Sequence, residues 1–217
     1  MKKIIILLLV LFLVTGCVNI NNSSIDTIID DSLKTKITMH NVTSSGYKYY
    51  LPKGISIIKE KSNNYVLMDE DSNKYYLYVD IVSKYHKIES NYEETNEVYF
   101  SKSLNRDDYY GYLEINELDN KYFIEMMYNY SKIETYIEKD SLNKVIANIS
   151  TILNSVSYNN EVLNTLIGEN VLKYNEETYD IFKTKRQTGD FLDYIELYDT
   201  YYEENIKEED VIDIKED

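Results

Sequence analysis

The chain contains one cysteine, one proline and no tryptophan among 217 residues. A single cysteine excludes an intrachain disulfide framework, so the burial of apolar surface must stabilise the fold. The only histidines are His40 and His86, and we expect His86 to be a surface residue at the end of a strand. A catalytic zinc site takes about three protein ligands, usually including several histidines or cysteines. Neither Ser44 nor Ser83, which lie near these histidines, belongs to a recognisable nucleophile motif. The sequence therefore predicts no metal site, no cofactor and no catalytic residue.

Basic residues are also scarce, with 23 Lys and Arg against 38 Asp and Glu, and the net charge is −15. This balance excludes nucleic acid as a partner, because phosphate binding requires a basic surface. The six glycines form no phosphate-binding loop. Neighbouring carboxylates such as Glu93-Glu94 and Glu176-Glu177 are expected by chance at this composition, so they do not indicate a glycosidase.

The N-terminus has the organisation of an export signal. Lys2 and Lys3 precede an apolar run from Ile4 to Val14, which is eleven residues long. A bilayer-spanning helix needs about 20 apolar residues, so this run is a targeting segment. The sequence Leu-Val-Thr-Gly-Cys that ends at Cys17 resembles the lipobox of bacterial lipoprotein signal peptides.

This resemblance implies cleavage between Gly16 and Cys17, followed by acylation of Cys17 with palmitate-type chains. The mature protein would then be a lipoprotein held at the extracytoplasmic face of the cell membrane by its N-terminal lipid. Each buried CH₂ contributes about 0.8 kcal/mol to such an anchor. The alternative is an ordinary cleaved signal followed by an incidental thiol. Because anionic lipids repel an acidic chain, we expect the lipid alone to hold the protein at the membrane.

Four segments follow from composition and pattern. Residues 1–16 form the signal peptide, and residues 17–35 form the lipidated N-terminus and a flexible tether rich in Asn, Ser and Asp, with a frayed helix at its end as an alternative. Residues 36–202 form a single α+β domain, and residues 203–217 form an acidic, disordered tail.

A period of two dominates from Tyr47 to Tyr130 and predicts antiparallel strands. Strands are predicted at 47–51 and from Ile55 onward. Two hairpins follow, over 65–79 and 112–126, each with a polar turn between aromatic and β-branched residues. They align at an offset of 47 residues. A duplicated hairpin and the restricted chemistry of turns explain this match equally well.

The period then changes to that of a helix. Ser131-Lys132-Ile133-Glu134 has the form of a capping box and predicts a helix start. An apolar stripe from Leu142 to Val156 predicts a helix that packs on the core. A shorter helix is predicted from Glu161 to Ile167, a strand pair over 171–183, and a final amphipathic helix over 191–202. Hairpins followed by helices indicate the α+β class, an antiparallel sheet with C-terminal amphipathic helices packed on it.

The segment 47–158 is similar to the Mog1/PsbP-type domains of small bacterial lipoproteins. The similarity lies in Leu51-Pro52-Lys53-Gly54, in the successive hairpins and in the closing helix that ends Ile-Leu-Asn-Ser-Val at Val156. The resemblance implies a binding or assembly role without a shared active site.

Two local patterns bear on ligands. Asp69, Asp71 and Asn73 have the spacing of a calcium loop, but Lys74 occupies the position that requires glycine, so a hairpin turn explains them better. The 24 tyrosines include adjacent pairs, and in a strand one member of each pair faces outward. We therefore consider Tyr76, Tyr78 and Tyr110 as candidate contacts for a partner. A compositional bias toward tyrosine is the alternative.

These observations favour a non-catalytic, lipid-anchored module that binds an envelope protein or polymer. Two alternatives share the anchor: a carboxylate-dependent envelope hydrolase, and a small solute-binding lipoprotein. The hydrolase would require two acids with opposed pKa shifts in one pocket. The solute-binding protein would normally have two larger lobes.

Overall fold

The computed structural model describes residues 23–168 except 62, 89, 90, 107 and 119. Within that range the protein is α+β, as predicted, with a seven-stranded and a three-stranded antiparallel sheet and four α-helices. The helices are α1 (Ile25–Leu33), α2 (Ile81–His86), α3 (Leu142–Ser155) and α4 (Asn160–Gly168). The strands are β1 (Val42–Ser44), β2 (Tyr47–Tyr49), β3 (Ile55–Lys61), β4 (Asn64–Asp69), β5 (Lys74–Val79), β6 (Phe100–Ser103), β7 (Gly111–Leu118), β8 (Lys121–Tyr128), β9 (Ser131–Glu138) and β10 (Ser157–Tyr158).

The seven-stranded sheet has the order β3-β4-β5-β9-β8-β7-β6. Both predicted hairpins are confirmed, as β4–β5 and β7–β8. They lie in different parts of the sheet, separated by β9. The three-stranded sheet has the order β1-β2-β10. Along the chain, β2 leads directly into β3 of the larger sheet. The alternation of the strands places one row of side chains toward α3, on what we call the core face, and the other row on the outer face.

Helix α3 covers the core face. Its buried stripe includes Val145, Ile146, Ile149 and Leu153, which belong to one apolar cluster with Leu77, Ile124 and Ile133 of the sheet. The predicted helix over this stripe is confirmed. A 3₁₀ turn over Lys139–Ser141 separates it from β9. The short helix predicted near Glu161 is also confirmed, as α4.

Helix α1 lies inside the segment that the sequence assigns to a flexible tether. Ser24 caps the helix by accepting a hydrogen bond from the Thr27 amide at 3.2 Å. Ile28, Ile29 and Leu33 are buried in the main apolar cluster. The tether prediction over 17–35 is therefore wrong for residues 25–33. Their apolar side chains recur at helical spacing, and burying them on the core stabilises the helix more than solvation of the polar residues between them stabilises an unfolded tether.

Hydrogen bonds and ion pairs also hold α1 in place. Asn154 donates to the Ser32 and Thr35 carbonyls, both at 2.9 Å. Lys102 lies 2.7 Å from Asp26, and Arg106 lies 2.9 Å from Asp30. The packed body thus includes residues 25–33, which precede the boundary predicted at residue 36.

The capping box predicted at Ser131 is also wrong, because Ser131–Glu138 forms β9, a central strand. Asn129 and Tyr130 both have positive φ, 50° and 58°, and they make the two-residue turn that joins β8 to β9. Such turns match the twist of paired strands. The segment then pairs on both sides, with β8 and with β5.

One further difference concerns His86, which the sequence places at the end of a strand. It is the last residue of α2, a helix that the sequence did not predict, and it is exposed as expected. Asp80 begins that helix by accepting a hydrogen bond from the Ser83 amide at 2.8 Å. Helix α2 has six residues, which is too short for a helical period to stand out from the alternation of the surrounding strands.

The predictions for 1–22, which include the signal peptide, Gly16 and Cys17, lie outside the described residues. The same holds for the strand pair over 171–183, the helix over 191–202 and the tail over 203–217. Across the described part of the chain, no helix has both the length and the apolar character needed to cross a bilayer.

Candidate functional site

Four polar side chains gather on the outer face of the sheet, and we call them the outer-face cluster: Tyr112, Glu125, Lys132 and Glu134. The pairing of β8 with β9 sets Glu125 directly opposite Glu134. Two carboxylates in that position repel each other. Lys132 compensates them, since its Nζ bonds to Glu134 and lies 3.8 Å from Glu125 Oε2. The Tyr112 hydroxyl donates to Glu125. All four side chains are buried.

The electrostatics of this cluster suit a structural role. Burial would lower the pKa of Lys132, but the charges of Glu125 and Glu134 outweigh it and raise that pKa above the usual value. Burial and the neighbouring Glu125 raise the pKa of Tyr112 well above its usual range. Lysine therefore stays protonated and tyrosine stays neutral at physiological pH, so neither side chain has the pKa of a general base or nucleophile.

The calcium-like spacing at Asp69 belongs to the turn between β4 and β5. The carboxylate of Asp69 accepts hydrogen bonds from the Asp71 and Asn73 amides, at 3.0 and 2.9 Å, and from the Tyr75 hydroxyl at 2.7 Å. The Asn73 side-chain amide donates to the same group. Although burial opposes it, these donors together lower the pKa of Asp69. The carboxylate organises the turn, and within the described residues no group of three or more His, Cys, Asp or Glu could hold a metal ion.

The three candidate tyrosines do not form an exposed row. Tyr78 is 2% exposed, so the ring presents almost no surface to a partner. Tyr76 is half-buried on the same face of β5. Tyr110 lies elsewhere, half-buried, with its hydroxyl donating to the Ile88 carbonyl at 2.7 Å. Among the described tyrosines only Tyr99, at 48%, falls in the exposed class. The other described tyrosines are buried or half-buried.

One outer strand of the sheet, β6, is covered by the chain itself, through a segment over 91–97 that we call the edge cover. Glu94 accepts a hydrogen bond from the Ser103 amide at 2.8 Å, and the Thr95 amide donates to Ser101 at 3.0 Å. Tyr92 stacks on Tyr112 with ring centroids 4.3 Å apart and planes within 5°. Its hydroxyl donates to Glu114 at 2.8 Å. The edge cover thus occupies polar groups of β6.

The other outer strand, β3, is exposed along nearly its whole length. Ile57 is 36% exposed and Ile58 is 47% exposed, and the charged run 59–61 follows them. A β-bulge between Ile57 and Lys59 interrupts the pairing with β4. No described strand pairs with the far side of β3. This exposed edge is the candidate functional surface.

The sequence predicted this strand but not its position at the edge of the sheet. Its apolar run from Ile55 to Ile58 was assigned to a strand, but a strand of that composition usually lies inside a sheet. Only the long-range pairing of β5 with β9 decides that β3 is outermost. The tyrosines are numerous but mostly buried or half-buried, whereas Ile57 and Ile58 are the exposed apolar residues of β3.

No protein-family model matches this chain, and no curated protein matches it.

Proposed function

We propose that this protein is a bacterial lipoprotein that is anchored through Cys17 at the extracytoplasmic face of the cell membrane and acts there as a non-catalytic interaction module. The observation that carries the proposal is the lipobox-like run that ends at Cys17, directly after a short apolar segment. Acylation also accounts for the only cysteine of the chain, which would otherwise be an oxidisable thiol outside the cell.

Two structural observations support a binding role. Strand β3 is outermost among the described strands of the sheet and exposes two isoleucines, as strand-addition sites in other proteins do. The outer-face cluster is the densest group of buried charges among the described residues. Its charges are compensated in ion pairs, and the pKa of its lysine is raised. A hydrolase mechanism with two carboxylates needs acids whose environments drive their pKa values apart. The unidentified partner would be an envelope protein or polymer, reached from the membrane surface.

The anchor is tested by labelling cells that produce the full chain with an alkyne analogue of palmitate. We expect label on the wild type and none on Cys17→Ala. A matched control, Cys17→Ala/Ser23→Cys, keeps one thiol six residues beyond the lipobox and should also stay unlabelled. Added protease should digest the wild type on intact spheroplasts. Label on the matched control, or a protein protected inside the cell, would refute the proposal.

A further inference from the structure

We propose that this protein is held on the phospholipid bilayer in one orientation, with the end of the packed body that carries Ser23 and the start of α3 toward the lipid. We call this end the anchor end. The inference rests on the proposed function, since the lipid on Cys17 is the point from which the orientation is set. The opposite end of the body is then the part presented outward to a partner.

Contacts with the packed body fix the position of Ser23. The Asn143 side-chain amide donates a hydrogen bond to the Ser23 carbonyl at 2.9 Å. The next residue, Ser24, caps α1, and Ile28 and Ile29 of that helix are buried in the main apolar cluster. The backbone at Ser23 is therefore part of the body, and the distance from the body to the lipid is set by the residues before it.

The chain between the proposed lipid and the body is short. Ser23 follows Cys17 by six residues. A fully extended chain covers at most about 3.6 Å per residue, so this connection spans at most about 22 Å whatever its conformation. Acylation places Cys17 at the bilayer surface, and Ser23 then lies within about 22 Å of it. A tether over 17–35, as predicted from composition, would have allowed about three times that distance.

Helices α1 and α3 both start at the anchor end and run away from it. Asn143, near the start of α3, contacts Ser23 just before α1. Asn154, near the end of α3, donates to the Ser32 and Thr35 carbonyls at the end of α1, both at 2.9 Å. Helix α3 has 14 residues, and at 1.5 Å per residue it is about 21 Å long. The end of α3 therefore lies about 20 Å farther from Ser23 than its start does.

Side-chain contacts of α3 assign the turns of the larger sheet to the two ends. Lys144, in the first turn of α3, pairs with Asp71 of the β4–β5 turn, so that turn lies at the anchor end. Just after α3, the Val156 carbonyl accepts a hydrogen bond from the Asn129 side-chain amide at 2.9 Å. The β8–β9 turn, which contains Asn129, therefore lies at the opposite end.

The lysines of the anchor end are paired with acids. Three ion pairs lie there: Lys121 with Glu138, Lys139 with Glu117, and Lys144 with Asp71. Anionic headgroups repel carboxylates over a Debye length of about 8–10 Å. Because each of these carboxylates has a lysine beside it, the anchor end approaches such headgroups with less repulsion than the carboxylates would meet alone.

The test measures how far each end lies from the lipid, in the full lipidated protein on vesicles of uncharged phosphatidylcholine. Asn120→Cys and Ser45→Cys each carry one thiol-reactive donor dye, and the lipid headgroups carry the acceptor. Asn120 precedes Lys121 at the anchor end. Ser45 precedes Gly46, whose carbonyl accepts from the Asn159 amide at the opposite end at 2.8 Å. Both replaced residues are exposed and uncharged, so each variant is the matched control of the other. From energy transfer we expect the dye of Asn120→Cys to lie closer to the lipid by about 10 to 20 Å.

Lengthening the connection tests whether its short reach sets the orientation. Inserting about twelve Gly and Ser residues between Asn22 and Ser23 raises the maximum reach about threefold. We expect the difference between the two dye positions to fall by at least about half, because the body is then free to turn. Equal distances for the two variants without the insertion, a shorter distance for Ser45→Cys, or a difference that survives the insertion would overturn the proposal.

Palmitate labelling of the same variants separates the orientation from the anchor. An acylated Cys17 has no free thiol, so the dye reacts only at the introduced cysteine. Intact labelling with equal distances at the two positions refutes the orientation alone. Absent labelling, with energy transfer no higher than in the same variants carrying Cys17→Ala, refutes the anchor and the orientation with it.

Discussion

The two outermost strands of the seven-stranded sheet, β3 and β6, differ in the contacts that other described segments of the chain make with them. At β6, Tyr92 and Glu94 of the edge cover bond to strand residues or stack on the sheet. At β3 the described residues show a bulge and a run of charges. Bulges and lysines are common protections against uncontrolled pairing of an exposed edge. The comparison shows that contacts close one edge, while a bulge and charged side chains mark the other, to which no described strand is added.

The largest effect on stability is expected at Lys132 of the outer-face cluster, on the central strand β9. Lys132→Met removes the cation that separates Glu125 from Glu134, and leaves two buried carboxylates without compensation. We expect the free energy of unfolding to fall by about 3 to 5 kcal/mol. Chemical denaturation of the full chain measures it.

A triple variant provides the matched control for this prediction. Lys132→Met/Glu125→Gln/Glu134→Gln removes the charges together and should recover at least half of the lost stability, since neutral groups cost less to bury. If Lys132→Met alone costs under about 1 kcal/mol, the cluster does not stabilise the sheet as described.

A smaller effect is expected at Asp69, in the turn next to the open edge. Asp69→Ala leaves several donors of the turn without their acceptor, and we expect a loss of about 2 to 3 kcal/mol at pH 7. Asp71→Ala is the control, because its exposed carboxylate pairs only with Lys144 in the described structure, and it should cost less than about 1 kcal/mol.

The stability difference between wild type and Asp69→Ala should also depend on pH in one direction. The pKa of Asp69 is lowered in the folded protein, so its stabilisation is fully present above the ordinary value of 3.8. It is lost as the pH falls through the lower, folded-state pKa. A difference that grew on acidification would contradict the hydrogen bonding described for this turn.

At the covered edge, Tyr92→Ala should cost about 2 kcal/mol, since it removes a half-buried ring stacked on Tyr112 and a hydrogen bond to Glu114. Tyr92→Phe keeps the ring and should cost about 1 kcal/mol. Amide exchange in Phe100–Ser103 should accelerate in Tyr92→Ala only. Unchanged exchange there would show that the edge cover does not close β6.

The smallest stability effect is expected at the open edge. Ile57→Thr and Ile58→Thr keep a β-branched side chain, and because both positions are largely exposed we expect changes within about 0.5 kcal/mol. A loss above about 2 kcal/mol would mean that these isoleucines serve packing and not contact with a partner.

The sequence predicted the parts of this fold whose signals are local. The hairpins followed from alternating aromatic and β-branched residues around polar turns, and α3 followed from its apolar stripe. The prediction failed at Ile133 and Ile137, which are four residues apart and fit a helix as well as a strand. Glu134 fits the capping box predicted from Ser131, but in the structure it is buried and paired with Lys132.

The failure at α1 has a different origin. Ile25, Ile28, Ile29 and Leu33 have helical spacing, and Ser24 is a good N-cap, so the signal was present but was outweighed by the polar composition around it. The candidate surface could not be located from sequence at all. Its position depends on β5 and β9, more than 50 residues apart, forming a pair.

Hydrogen–deuterium exchange of the full protein compares the two edges most directly. We predict faster exchange in Ile55–Lys61 than in Phe100–Ser103, because the edge cover contacts β6. Equal exchange at both edges, or faster exchange in Phe100–Ser103, would contradict the account.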